Sequence, residues 1–207
     1  MYRISRVILG LLIILEAFSW CASQETYFPP DVFGKGKWAK TEHSLNSFFL
    51  KRLEEPSLYT KAKDKSAETY RFLWLRTFHN PVAVRLNMQT DGTSLLTVKT
   101  ADGHSGFPRT VTKLAQTTSR TLSRDETKAF LDKVRTVGFW KEKSRDSGSP
   151  AATDGDGWIL EGVAGGNYHV VSRVIPNTLP KNTIVVQALG KMLAFELGRI
   201  DIAEEER

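Results

Sequence analysis

The apolar positions of the chain change period several times, and each change marks an element. From Ser44 onward, Leu45, Phe48, Phe49 and Leu53 recur at helical spacing. Pro56 ends that helix, because it lacks an N–H and clashes with the preceding turn, and a short second helix fits the residues up to Lys63. Tyr70 to Phe78 is aromatic and apolar on both alternating faces, which predicts a central strand covered on two sides. Val82, Val84, Leu86 and Met88 then alternate with Ala83, Arg85, Asn87 and Gln89, the pattern of a strand with one wet face. Asp91-Gly92 closes a hairpin, Leu95 to Thr100 makes a third strand, and Asp102-Gly103 signals a turn before a fourth over Thr110 to Thr121.

Beyond the fourth strand, Ser123 and Glu126 are spaced as a capping box, in which each side chain satisfies a backbone N–H of the helix's first turn. The helix should run to Val137, bury Phe130, Val134 and Val137 on one stripe, and stop at Gly138, where a left-handed residue belongs. Ser144 to Gly157 is rich in Ser, Gly and Asp and reads as a loop. Trp158–Val163 and Tyr168–Ile175 follow as two strands joined through Ala164 to Asn167, and a last helix is expected over Thr183 to Gly198.

Hairpin turns in place of long crossovers predict an α+β domain: an antiparallel sheet of about six strands, a meander plus a hairpin, with the helices packed on one face. Phe72, Trp74, Leu86, Val134 and Val170 are expected in one core. Residues 24–43 show no apolar period and read as an extended leader, 44–199 as the single domain, and 200–207 as an acidic tail.

The first 23 residues change the picture of where the chain works. Arg3 and Arg6 precede an apolar run from Val7 to Cys21 that ends in Cys21, Ala22 and Ser23, the succession of a secretory signal peptide cleaved after Ser23. Two other readings remain: an uncleaved anchor, for which the run is short and carries Glu16, and a lipoprotein acylated at Cys21, where Trp20 replaces the usual small residue. Cleavage removes the single cysteine of the 207-residue chain, so the mature domain must be held by its core without disulfides. It also lacks an Asn-x-Ser/Thr acceptor, and an exported bacterial protein, periplasmic or secreted, fits best. No membrane role is expected after cleavage.

The net charge of +6 is uneven: residues 109–145 carry 10 basic and 4 acidic side chains, whereas residues 146–207 carry 5 and 9. The basic block could mark an anionic partner, but a solvated helix and its flanking loops give the same count more often. No nucleic-acid recognition motif accompanies it, and a nucleic-acid partner is not expected.

Catalytic motifs fail individually. Gly103-His104-Ser105-Gly106-Phe107 has phenylalanine where a nucleophile elbow needs glycine. Asp154-Gly155-Asp156-Gly157 lacks the further ligands of a calcium loop, and His43, His79, His104 and His169 have no zinc spacing, so no metal or cofactor is expected. What remains is a polar set on strands. His169 and Arg173 alternate onto one face, a tight turn would bring Glu161 beside them, and Arg76 or Arg85 from the first strands would complete an anion-binding patch. The same residues also read as cross-strand pairs decorating a wet face, and a one-residue slip of register would turn Glu161 away.

The segments YRFLWLRTFHNPVAVRL (70–86), DGWILEG (156–162) and YHVVSR (168–173), in this order after a signal peptide, resemble those of a family of uncharacterised exported bacterial proteins. The resemblance implies a bacterial origin and a single domain, and it assigns no activity and no role to any residue. Three functions stay open: a non-catalytic binding or interaction domain with an anionic ligand or a protein partner, a small hydrolase using the Glu/His/Arg cluster, and a secreted inhibitor or immunity-type protein.

Overall fold

The computed structural model describes residues 26–145, 155–175 and 184–200. The predicted signal peptide, most of the Ser-Gly-Asp loop, the start of the last helix and the tail from residue 201 lie outside these described residues. No helix among them is long and apolar enough to cross a membrane.

The doubly apolar segment forms β1, Glu68–Leu75, buried at every position but its first. It lies inside a six-stranded antiparallel sheet. On one side come β2 (Val82–Met88), β3 (Ser94–Ala101) and β4 (Leu114–Leu122), and on the other β5 (Asp156–Ala164) and β6 (Asn167–Ile175). The helices are α1 (Lys37–Arg52), α2 (Leu58–Lys61), α3 (Arg124–Thr136) and α4 (Ile184–Lys191), the last continuing as a π-helical stretch, Met192–Leu197. The α+β class and the meander-plus-hairpin sheet match the sequence expectation.

The placement of the helices does not. Tyr70, Phe72 and Trp74 pack with Val82, Val84 and Leu86 of β2, Phe130 and Val134 of α3, and Val186 and Leu189 of α4. Leu73 and Leu75, alternating to the opposite face, pack with Phe49, Leu50 and Leu53 at the end of α1. The helices therefore cover both faces, as a central strand apolar on two sides requires. Val170 belongs to the α1-side core and does not join Trp74.

The leader is also corrected. Tyr27, Phe28 and Phe33 are buried, with the Phe28 and Phe33 rings edge to face at 5.1 Å, so this segment is part of the core. α1 begins at Lys37, seven residues before its visible periodicity, because Ala39 is the one buried residue of that first stretch. A helix whose opening turns carry Lys37, Lys40 and Thr41 outward shows no stripe to read.

The capping box at α3 is as expected: the Ser123 hydroxyl accepts from Glu126 N at 3.2 Å, and the Glu126 carboxylate accepts from Ser123 N at 2.8 Å. Gly138 adopts φ 72° and turns the chain so that Phe139 inserts against the sheet. There it meets Gly162, where a Cβ would lie 2.6 Å from the phenylalanine ring. The β3–β4 connection is a loop and not the tight turn read at Asp102-Gly103, and β4 starts at Leu114. Its base closes where Asp102 N donates to Lys113 O at 2.9 Å.

Trp74 tests this core, since its ring lies 5.7 Å from that of Trp158 and its indole N–H donates to Asp156 at 2.7 Å. Trp74→Ala should lower the unfolding free energy by about 3 to 5 kcal/mol, read from urea denaturation. An unchanged midpoint would show the strand to be misplaced.

Candidate functional site

The β5–β6 turn decides which polar side chains meet. Gly165 and Gly166 both have positive φ, 58° and 83°, the combination a tight two-residue hairpin turn requires and other residues adopt poorly. Ala164 therefore pairs with Asn167, and register carries Glu161 opposite Val170, Gly162 opposite His169 and Trp158 opposite Arg173. Directly opposed residues share a face, so Glu161 lies on the α1 side, while His169 and Arg173 lie on the α3/α4 side.

The expected patch is thus not assembled. Glu161 and Arg85 share the α1 face, both in line with Arg71 of β1. Arg76 lies over the Trp74 ring at 5.0 Å and donates from Nε and Nη2 to Asn80 O at 3.0 and 2.8 Å. Arg173 is buried and donates from Nη2 to Glu142 at 2.5 Å and to Lys143 O at 3.0 Å, clamping the segment after α3 to β6. His169 packs edge to face on Phe139 with ring centroids 5.1 Å apart, and its buried Nε2 has no hydrogen-bond partner among the described residues. An acid and an imidazole on opposite faces of a sheet cannot share a substrate, so this cluster offers no hydrolytic site.

In its place, the α1 face holds a buried ion network that sequence reasoning missed. The guanidinium of Arg71, wholly buried, donates to Glu161 from Nε at 2.8 Å and from Nη2, and to Pro56 O at 2.7 Å. Glu55, buried between α1 and α2, accepts from Arg85 Nε at 2.9 Å and lies 3.3 Å from both Arg71 Nη1 and Lys99 Nζ. Tyr168 closes the group by donating to Glu161 at 2.8 Å. Burial pushes the Glu161 carboxyl up against the pull of the Arg71 cation, and burial with the neighbouring Glu161 carboxylate raises the Tyr168 phenol. The signal was one arginine inside a strand apolar on both faces, which demands a buried partner. With Arg71, Glu55 and Glu161 closed to solvent, the network is structural.

The accessible chemistry lies where α1 leaves the sheet. A cavity of about 330 Å³ opens between α1, the ends of β1, β5 and β6, and the β3–β4 loop. Leu45, Phe49, Leu75 and Ile159 supply apolar walls, and Trp38 and Phe107, 65% and 93% exposed, stand at its margin. The loop wall is pinned: Ser105 donates its hydroxyl to Arg76 O at 2.6 Å, and Gly106 N donates to Thr77 O at 2.9 Å. Gly106 sits so close that a Cβ would lie 2.4 Å from that carbonyl. Inside, Glu42 accepts from Ser172 at 2.6 Å and pairs with Arg145 Nε at 2.9 Å. Asn46, 3% exposed, leaves its Nδ2 without a hydrogen-bond partner among the described residues. No group of His, Cys, Asp and Glu among the described residues is arranged to hold a metal ion.

A scan against protein-family models matches no family, and a search of curated proteins finds none that is similar.

Two outcomes follow from these groups. Arg71→Met should cost about 3 to 5 kcal/mol in chemical denaturation, because two carboxylates lose a buried counter-charge, and adding Glu161→Gln should recover part of the loss. His169 gives a pH signature. Burial holds its imidazole below the ordinary 6.5, against the opposing influence of Glu142, so the neutral form is the native one. Its stability contribution is complete above pH 6.5 and is lost as pH falls through the lower native value. His169→Phe should therefore flatten the stability profile between neutral and mildly acid pH, and equal slopes for the two proteins would exclude this role.

Proposed function

We propose that the chain is an exported, non-catalytic binding domain whose site is the cavity between α1 and the sheet. The charged, apolar and small-residue succession of residues 1–23 supports export, and the resemblance of residues 70–86, 156–162 and 168–173 to exported bacterial proteins agrees with it. The observation that carries the binding reading is the cavity itself. Its volume is that of a small-molecule site, and apolar walls are combined in it with polar groups that could orient a ligand. A buried amide N–H without an acceptor costs about 1 to 3 kcal/mol, and a ligand oxygen against Asn46 would remove that cost. The hydroxyl–carboxylate pair among the described lining residues, Ser172 with Glu42, is buried at the serine, tied to Arg145 and has no imidazole beside it, which favours binding over turnover.

The test is a titration with N-phenyl-1-naphthylamine, an uncharged probe that fluoresces in apolar surroundings. Saturable binding is expected at the wild-type protein. Thr41→Trp, at an exposed position of α1 lining the cavity, should abolish it while shifting stability by no more than about 0.5 kcal/mol. Absence of saturable binding to the wild type, or binding unchanged in Thr41→Trp, would exclude this site.

A further inference from the structure

The cavity does not end at its apolar walls. An open groove along the outer side of α1, lined by Gly36, Lys37, Lys40 and Phe48, shares Thr41, Leu45 and Arg109 with it. The groove contains the N-terminus of α1, and that end of the helix is unusual. Gly36 makes no side-chain cap, no acidic residue occupies the first turn, and Lys37 and Lys40 are exposed there. The first N–H groups of a helix and the positive end of its dipole favour an anion, and acidic side chains ordinarily take that place.

The charges around the cavity point the same way. The one carboxylate among its described lining residues, Glu42, is already engaged by Arg145 and Ser172. Arg173 is engaged by Glu142. Arg109, exposed on the pinned loop, and the two α1 lysines then leave the shared mouth positive. Independently of the helix end, the buried Nδ2 of Asn46, without a hydrogen-bond partner among the described residues, offers a donor at the cavity wall and so asks for an oxygen on the ligand.

We infer that the site takes an amphipathic anion: an apolar body between Leu45, Phe49, Leu75 and Ile159, an acceptor oxygen facing Asn46, and an acidic head at the α1 N-terminus beside Lys37 and Arg109. The inference rests on the binding reading of the same cavity and adds the ligand's charge. A neutral ligand would leave the helix end and three cations solvated, with nothing gained from them. An acidic head converts them into charge-assisted hydrogen bonds, which are about twice as strong as neutral ones.

Two probes that share one ring system separate the two claims. 1-Anilinonaphthalene-8-sulfonate carries a sulfonate, and N-phenyl-1-naphthylamine does not. At low ionic strength the sulfonate should bind the native protein about tenfold more tightly, and added salt should remove most of the difference. The double variant Arg109→Glu/Lys37→Glu, at two exposed positions, should erase the preference, lowering the sulfonate's affinity far more than the neutral probe's. The milder Arg109→Gln/Lys37→Gln, with a cooperative unfolding transition as control, covers loss of folding in the first. Equal affinities for the two probes in the wild type, or a sulfonate preference that survives both variants, would overturn the anion inference while leaving the binding site in place. Failure of both probes would overturn the binding reading, and this inference with it.

Discussion

A guanidinium buried in the middle of a sheet must be given acceptors, and most of this architecture is consistent with meeting that demand. Arg71 stands on the strand that every other layer packs against, wholly withdrawn from water. An unpaired charge at that depth would cost several kcal/mol. Glu161 reaches it from the neighbouring strand, and Pro56 and Glu55 reach it from the connection between α1 and α2. That connection is the tether that holds the end of α1 on the sheet, next to Phe49, Leu50 and Leu53. One ion network thus links the hairpin, the central strand and the first helix. The position of α1 in turn creates the cavity at its other end.

This arrangement explains what was and was not legible in the residues. Elements whose cause is local were readable: the capping box at Ser123, the left-handed Gly138, the two-faced strand around Phe72. Elements whose cause is tertiary were not. The opening turns of α1 bury only Ala39, so their helicity leaves no stripe. Tyr27 and Phe28 gain their burial from a core that is distant in sequence. The functional patch failed on parity alone. A two-residue turn pairs odd with even positions across β5 and β6, which puts Glu161 back to back with His169. A turn one residue longer would have brought them together, and nothing in the composition of the strands distinguishes the two cases.

The division between the two faces also separates structural polar groups from available ones. Arg173, Arg76 and His169 hold segments or pack on aromatic rings, and Arg71 is enclosed. Polar side chains on strands were the natural candidates because alternation makes them visible. The cavity is instead built from α1, a loop and three strand ends, elements brought together only by the fold. Loops and helix ends held on a rigid scaffold are where binding residues concentrate.

The support for reading that corner as functional is that three departures from local rules meet there. At α3 it places a full capping box, with Asp125 and Glu126 in the first turn. At α1 it places a glycine, no cap and two lysines. The cores bury most phenylalanines and tryptophans, and two of the three exposed ones among the described residues, Trp38 and Phe107 but not Phe78, stand beside the cavity. A buried asparagine with an unpartnered amide costs stability that a leucine at the same helical position would not. Each departure is unfavourable by itself, and the proposed ligand, with an apolar body and an acidic head, would turn each into a favourable contact. Conflicts with local rules that meet at one place, and that a single ligand chemistry would resolve together, are the pattern that the proposed site requires.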